Sequence, residues 1–188
     1  MAVAIALLHS FEMNQEDLER HRRVHRGRES VWSVWGTPQA MNAGDGMHAL
    51  AKMALLEGRD RISPATILHL DQELDESCLR CCEAIHLEQT AGQQSSAEDL
   101  GASKAALLFG HAAYAGGYLA GAGASPRAMH VHHFGELLGS AAALKASKPE
   151  RSEAFQARAL AALEASNVAA EHRAALRSLA DYVLSNET

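Results

Sequence analysis

The stretch FEMNQEDLERHRRVHRGRESVW, from Phe11 to Trp32, is the most informative part of this sequence. An acidic cluster ends a predicted helix, and five of the thirteen arginines follow between Arg20 and Arg28, where Gly27 turns the chain. A solvated helix face seldom concentrates charge in this way. The arrangement therefore predicts a site for a metal-bound polyanion such as diphosphate. The alternative is a salt-bridged helix end, because acids and bases four residues apart on a helix pair favourably.

Composition predicts an all-α protein with one domain. The chain has 188 residues, of which 47% are apolar, so it is long enough for a single cooperative core. It has only four prolines and 5% aromatic residues, with abundant alanine and leucine. Unbranched side chains lose little rotamer freedom in a helix, and this composition favours helices over a sheet. We predict one helical domain over residues 1–188.

Apolar spacing and chain breakers predict seven helices. Three of them begin with a proline after a serine or threonine, which is a coherent helix start because the hydroxyl can cap the first turn. These starts are Thr37–Pro38, Ser63–Pro64 and Ser125–Pro126. The predicted helices are Val3 to Arg20, Pro38 to Leu56, Pro64 to Gln89, Ala97 to Ala120, Pro126 to Ala146, Ser152 to Ala165 and Ala169 to Ser185.

Charge and hydropathy exclude several classes of protein. A formal net charge of -6 argues against general nucleic-acid binding, which requires a basic surface. The start MAVAIALLHSF has no basic leader, so we predict a helix there and not a signal peptide. The segment from Ala105 to Ala124 is apolar, but His111, Tyr114 and five glycines make it weakly hydrophobic for a membrane span. We predict a cytoplasmic protein without a membrane span.

Two groups of metal-ligating residue types are better explained without a metal. The cysteines are Cys78, Cys81 and Cys82, and the histidines are His130, His132 and His133. No second pair of ligands at zinc-finger spacing accompanies the cysteines, so we predict buried thiols in a reducing compartment. We identify no acid or cysteine beside the histidines and predict a solvated or helix-capping cluster there.

The charged stretch resembles the first motif of the trans-isoprenyl diphosphate synthases, also called polyprenyl synthetases. That motif reads Asp-Asp-x-x-Asp, a short spacer and Arg-Arg-Gly-Arg-Pro-Thr. Glu16 and Asp17 fall on the first two aspartates, and Arg20 replaces the third. His25 and Arg26 fall on the paired arginines.

The similarity extends over most of the chain. It continues in VWSVWGTPQAMNAGDGMHALA, CCEAIHLE and ASKAALL, and in the tail from about Glu153 to Thr188. The resemblance implies an isoprenoid-synthase-type helical bundle, shortened at the N-terminus and in the loop after the second motif. It also implies the ancestral reaction of that family, the magnesium-dependent condensation of isopentenyl diphosphate with an allylic diphosphate.

The resemblance assigns roles to six residues. Glu16 and Asp17 would hold magnesium, while His25, Arg26 and Lys104 would contact substrate diphosphate. Phe11 would form the floor that limits the growing prenyl chain. For Lys104, a surface lysine with no ligand is an equal alternative.

The second acidic motif is altered as well. The segment FGELLGSAAALKASKPE, from Phe134 to Glu150, carries the lead-in that is typical of the family, but Ala146 and Ser147 stand where the resemblance places two aspartates. The segment Gly-Lys-x-x-Arg-Pro, which precedes the first motif in the family, is absent from this sequence. We therefore expect weak or absent prenyltransferase activity.

Two alternatives stay open. The first is a non-catalytic partner subunit that packs against an active prenyl diphosphate synthase, as a heterodimer with a full-length synthase instead of a homodimer. The second, less favoured, is a terpene cyclase of the same fold, because cyclases also depend on acidic metal ligands.

Overall fold

The computed structural model describes residues 1–90 and 97–185. In this part of the chain the structure is helical apart from one small hairpin and the connecting turns. The helices are α1 (Ala2–Glu19), α2 (Val31–Trp35), α3 (Thr37–Leu56), α4 (Pro64–Thr90), α5 (Ala97–Gly117), α6 (Pro126–Leu144), α7 (Pro149–Ala165) and α8 (Ala170–Ser185). The strands of the hairpin are β1 (Val24–His25) and β2 (Arg28–Glu29). A 3-10 turn spans Glu57–Asp60, and a π-helical turn spans Tyr118–Ala122. The predicted all-α class is confirmed.

Backbone contacts divide the chain into two compact units, Met1–Glu73 and Leu74–Thr188, with the boundary inside α4. Each unit has its own buried residues, and each is described separately below. The prediction of a single domain stays a prediction.

In the first unit, α1 packs along α3. Ala4, Leu8 and Phe11 recur every three or four residues and form the buried face of α1. Gly44 of α3 lets the two helices approach closely, since a Cβ at this position would lie 3.2 Å from the Asn14 amide nitrogen. That amide is buried and donates a 2.7 Å hydrogen bond to the Ala40 carbonyl oxygen.

In the second unit, α6 is the central helix and contacts α5, α7 and α8. Its contact with α5 depends on two glycines. A Cβ on Gly135 would collide with the Phe109 carbonyl group, and a Cβ on Gly139 would collide with the Ala105 carbonyl group. Beside this contact lies an apolar cluster of Phe134, Leu137, Leu138, Ala159, Leu163 and Ala180.

The predicted helices are all present, with corrections at their ends. Ser63 and Ser125 cap as predicted, because their hydroxyls accept from the amides of Thr66 at 3.1 Å and Ala128 at 3.5 Å. The cap predicted at Thr37 is wrong: this residue is the first of α3, and Gly36 precedes it with φ 82°. α7 begins three residues earlier than predicted, and α5 ends in the π-helical turn.

The segment predicted to be too polar for a membrane span is divided between α5 and the π-helical turn, where Gly121 has φ 89°. No helix among the described residues has the length and hydropathy needed to cross a membrane. Cys81 is buried and Cys78 is half-buried, whereas Cys82 is exposed, so the prediction of three buried thiols is wrong for Cys82. None of the three forms a disulfide.

Candidate functional site

The C-terminus of α1 folds the charged stretch back onto itself. Arg20 caps the helix, and His21 follows in the left-handed conformation with φ 51°. The His21 amide donates to the Leu18 carbonyl at 3.3 Å, and the Arg22 amide donates to the Asp17 carbonyl at 2.9 Å. These two bonds define a Schellman motif, in which the left-handed residue is usually glycine. The reversal places the arginine-rich segment beside the carboxylates of the last helical turns.

A short hairpin follows immediately. Val24 pairs with Glu29 and His25 with Arg28, so Arg26 and Gly27 form the turn between the strands. Their φ values, 50° and 76°, are both positive, as a type I′ turn requires. Glycine adopts this conformation without steric cost, whereas arginine does so less readily. Arg26 is exposed at the tip of the turn.

Trp32 of α2 fixes the start of the hairpin. Its indole nitrogen donates to the Arg22 carbonyl oxygen at 2.9 Å. The Arg23 guanidinium lies 5.9 Å from the centre of the Trp32 ring, and the His21 ring meets the same ring edge-on at 5.6 Å. The Ser33 hydroxyl donates to the Arg23 carbonyl at 3.1 Å. These contacts hold the backbone of the arginine-rich segment in one place.

Asp17 is buried and has two partners. Its Oδ1 atom lies 2.8 Å from His25 Nδ1 and 3.3 Å from Arg22 Nη1. Arg22 Nη1 is also 3.1 Å from His25 Nδ1. Because a carboxylate can only accept, the shorter 2.8 Å contact requires that His25 Nδ1 carry a hydrogen and donate it to Asp17. The approach of Arg22 Nη1 to the same nitrogen is then not a hydrogen bond, because both groups are donors. Arg22 then donates to the same carboxylate.

Glu16 is paired with two arginines. Its Oε1 atom is 3.0 Å from Arg20 Nε and 3.5 Å from Arg22 Nη2. The first contact is an i, i+4 pair within and just beyond α1. The second comes from the segment that folds back. Arg22 thus bridges the two carboxylates that the sequence analysis assigned to magnesium.

These residues do not fit a magnesium site. Magnesium takes six ligands in near-octahedral geometry and is usually held by carboxylates and water. Here the contacting oxygens of Glu16 and Asp17 already accept from cationic or N–H donors, and the guanidinium of Arg20 lies where the resemblance places a third carboxylate. Within residues 1–90 and 97–185, no three His, Cys, Asp or Glu side chains come together in a way that could hold a metal.

The six assigned residues fall at different places. Glu16, Asp17 and His25 lie together, and Arg26 lies beside them at the turn. Phe11 is buried one to two turns earlier on α1, with its ring 6.0 Å from that of His48. Lys104 is half-buried on α5 and belongs to the second unit. The roles assigned to these residues stay predictions.

Sequence reasoning missed Arg22, Trp32 and His9. Arg22 gave no clear signal, because its fold-back depends on His21 adopting the left-handed conformation that is usual for glycine. For Trp32, the sequence carries no signal of its role beyond its being aromatic. Partial desolvation and the positive charges of Arg26 and His25 lower the pKa of His9, which indicates that His9 lies within electrostatic reach of the hairpin.

The histidine cluster on α6 was predicted to have no acid nearby, and this is wrong. Glu136 Oε2 lies 3.2 Å from His133 Nδ1 and 3.6 Å from His132 Nδ1. His130 instead has its Nδ1 atom 2.8 Å from the Pro126 carbonyl in the first turn of α6. The other prediction for this cluster, that it lies at the surface, holds for His130 and His133, which are exposed.

The described helical fold places the protein among known structures. It superposes on the geranylgeranyl pyrophosphate synthetase of the archaeon Geoglobus acetivorans with a TM-score of 0.80 and 18% identity, over 97% of this chain and 77% of that one. For the polyprenyl synthetase of Streptomyces coelicolor A3(2), the TM-score is 0.77 at 17% identity, over 96% and 77% of the two chains. At these identities the superpositions establish the fold alone, a helical isoprenyl-synthase bundle.

Sequence similarity then gives the family. The family model described as polyprenyl synthetase matches residues 1–142. The chain belongs to the polyprenyl synthetase family, which confirms the resemblance. The matched region includes the stretch from Phe11 to Trp32 and ends before Ala146 and Ser147, which are both exposed.

Individual relatives match more locally. The geranylgeranyl diphosphate synthase of Methanosarcina mazei is 27% identical over 143 residues, which are 73% of this chain and 43% of that protein. The geranylgeranyl diphosphate synthase of Mycobacterium tuberculosis is 33% identical over 82 residues, 44% of this chain and 23% of that protein. These matches span less than two thirds of the length of either relative.

Proposed function

We propose that this chain is a polyprenyl synthetase-family protein of isoprenoid biosynthesis in which magnesium-dependent condensation of isopentenyl diphosphate with an allylic diphosphate is weak or absent. The observation that carries the proposal is the pairing of Glu16 and Asp17 with Arg20, Arg22 and His25. Metal ions stabilise the leaving diphosphate by roughly several kcal/mol, because they neutralise its charge. Glu16 and Asp17 would have to hold those ions, but their charges are already neutralised by the paired side chains. The same argument disfavours a terpene cyclase.

Diphosphate binding is retained in this proposal. Arg26 is exposed at the hairpin tip, where its guanidinium can offer parallel N–H donors to phosphate oxygens. His25 has one ring nitrogen committed to Asp17, so it contributes at most its other nitrogen. Lys104 is the third proposed contact. Arg26 and Lys104 belong to different units and are proposed as separate contacts. Allylic diphosphate is the proposed ligand, with isopentenyl diphosphate second.

A non-catalytic partner subunit is the second candidate. Exposed apolar residues recur every three positions on α3, at Leu50, Met53 and Leu56, with 51%, 61% and 49% of their surface accessible. Such a stripe on a soluble helix favours a protein partner, because isolated apolar residues are common at surfaces but contiguous ones mark interaction sites. A full-length synthase of the same family, in a heterodimer, is the proposed partner. A homodimer and a cytoplasmic location are also proposals.

One experiment separates activity from binding. The purified chain is incubated with labelled isopentenyl diphosphate, farnesyl diphosphate and magnesium, beside an active synthase as positive control. Farnesyl diphosphate binding is measured by calorimetry for the native chain, Arg26→Ala and the matched control Arg28→Ala. We expect no elongation, and binding that Arg26→Ala weakens and Arg28→Ala leaves nearly unchanged. Elongation at a rate comparable to that of the control would contradict the proposal of weak activity.

The partner candidate has its own test. The chain is mixed with a full-length synthase, and complex formation is followed by size-exclusion chromatography with light scattering. We expect a mixed complex that Met53→Asp disrupts, while the charge introduced by Gln39→Asp, at an exposed site of the same helix, has no effect. A native chain that elutes as a single species and forms no complex with the synthase would contradict the partner-subunit proposal.

A further inference from the structure

Arg22 occupies the place between two carboxylates where the family resemblance would put a divalent ion. Each of its two terminal nitrogens contacts one carboxylate: Nη2 is 3.5 Å from Glu16 Oε1, and Nη1 is 3.3 Å from Asp17 Oδ1. A guanidinium is planar and presents its donors in a fixed fork, so one side chain can connect two oxygens on adjacent residues.

The backbone of Arg22 is held on both sides, which distinguishes it from an ordinary surface arginine. Its amide donates to the Asp17 carbonyl at 2.9 Å, and its carbonyl accepts from the Trp32 indole at 2.9 Å. Its side chain is 34% exposed, and that of Asp17 is 11% exposed. The guanidinium is therefore directed to the carboxylates by a fixed main chain, and solvent screens this pair less than a fully exposed one.

The charges of the carboxylates and guanidiniums in this cluster balance without a metal ion. The two carboxylates carry two negative charges, and the guanidiniums of Arg20 and Arg22 supply two positive ones, even when His25 is neutral. A divalent ion at this point would find no net negative charge to neutralise. It would also be repelled by the two guanidiniums, which already contact the carboxylates that would bind it.

We propose that Arg22 is a tethered counter-ion that takes the place of a divalent metal between Glu16 and Asp17 and keeps such ions out. The inference rests on the proposed function only in taking these two residues as the first acidic motif. It concerns metal binding and not turnover. If it fails, the native chain can still be inactive for another reason, and an active native chain can still bind its metal elsewhere.

The test measures Mn²⁺, a spectroscopic substitute for Mg²⁺, bound to the full chain without prenyl substrate. Electron paramagnetic resonance is recorded for the native chain, for the double variant Arg20→Gln with Arg22→Gln, and for the matched control Arg23→Gln. Arg23 lies in the same segment, and its guanidinium lies 5.9 Å from the centre of the Trp32 ring. We expect the double variant to bind Mn²⁺ at least tenfold more tightly than the native chain and the control, and the addition of Asp17→Asn to abolish the gain.

Two outcomes would overturn the inference: a native chain that binds Mn²⁺ as tightly as the double variant, or a folded double variant that gains nothing. Circular dichroism establishes whether each variant is folded. If the double variant unfolds, the native chain and Asp17→Asn are compared by thermal unfolding with and without Mg²⁺. No Mg²⁺-dependent shift in the native chain supports the inference, and a native shift that Asp17→Asn removes contradicts it.

Discussion

The contact between α5 and α6 and the end of α1 are held together by different physical means. The first depends on shape, because Gly135 and Gly139 bring the backbone of α6 against carbonyl groups of α5. The second depends on charge, because the hairpin is joined to α1 through Asp17, Glu16, Arg22 and His25. Close backbone packing at a glycine tolerates almost no larger residue, whereas one charged residue of an ion pair can be replaced by another without a steric clash. A bundle of this kind can keep its fold while the chemistry of its first motif changes.

The most severe test of this difference is Gly139→Ala. The added Cβ would meet the Ala105 carbonyl carbon at 2.7 Å, and backbone cannot move aside as a flexible side chain can. We expect a loss of about 3 kcal/mol or more in the free energy of unfolding, measured in urea. Gly116→Ala is the control, since nothing lies within 4 Å of its Cβ position, and it should be neutral or stabilising by up to about 1 kcal/mol. Equal losses in both variants would show that the close contact is not the cause.

The second prediction concerns pH and the same helix pair. Burial of His111, with a smaller effect from the positive charge of His132, lowers the pKa of His111 from 6.5 to about 4. The unfolded chain therefore takes up this proton near pH 6.5 and the folded chain only near pH 4. The contribution of His111 to stability should be constant above pH 6.5 and fall as pH decreases to 4, by about 3 kcal/mol in total.

Urea unfolding from pH 7.5 to 4 checks this expectation. His111→Leu should remove the His111 part of the loss, because leucine fills the buried site without a titratable group. The control, His172→Gln, changes an exposed histidine and should leave the profile as it is. A His111→Leu profile as steep as that of the native chain would contradict the assignment.

A third prediction examines the polar contact inside the first unit. Asn14→Ala removes the buried 2.7 Å hydrogen bond to the Ala40 carbonyl and leaves a small void next to Gly44. We expect a loss of about 2 kcal/mol in the free energy of unfolding. Asn42→Ala, at an exposed site on α3, should change stability by less than about 0.5 kcal/mol. If the two variants are alike, α1 and α3 are held by apolar packing alone.

The smallest expected effect is at the charged cluster itself. Asp17→Asn keeps the shape of the side chain but removes the charge that pairs with Arg22 and His25. We expect a loss of about 1 kcal/mol at low salt, because the pair is partly screened by solvent. The loss should shrink as salt is raised, whereas that of Gly139→Ala should not. Asp45→Asn, an exposed aspartate on α3, serves as the control. A salt-independent loss at Asp17 would mean that charge is not what holds the hairpin.

Sequence reasoning was most successful where structure is local. The long helices follow from apolar spacing and from the prolines that begin them, and Ser63 and Ser125 cap as their positions indicate. The hairpin could not be predicted, because two-residue strands have no periodicity and Arg26 is an unusual residue for a turn with positive φ. Thr37 was misjudged because Gly36 took the cap position instead.

The charged cluster at the end of α1 contains three of the six residues that the sequence singled out, but the ion pairs of Arg22 and His25 were not predicted. Glu16, Asp17 and His25 were identified through the family motif, and they do lie together. Their bridging by Arg22 depends on His21 adopting the left-handed conformation, which a non-glycine residue gives no sequence reason to expect. The close approach of α5 and α6 was expected only in general terms from small residues, since the particular partners of Gly135 and Gly139 depend on tertiary packing.

The indole of Trp32 gives this molecule a spectroscopic probe. The chain has two tryptophans, and the other, Trp35, is 66% exposed. A Trp35→Phe variant would leave a single tryptophan, hydrogen-bonded to the Arg22 carbonyl and in edge-to-face contact with the His21 ring. Its emission wavelength and lifetime would then report, in real time and without any label, whether the fold-back at the end of α1 is closed or open.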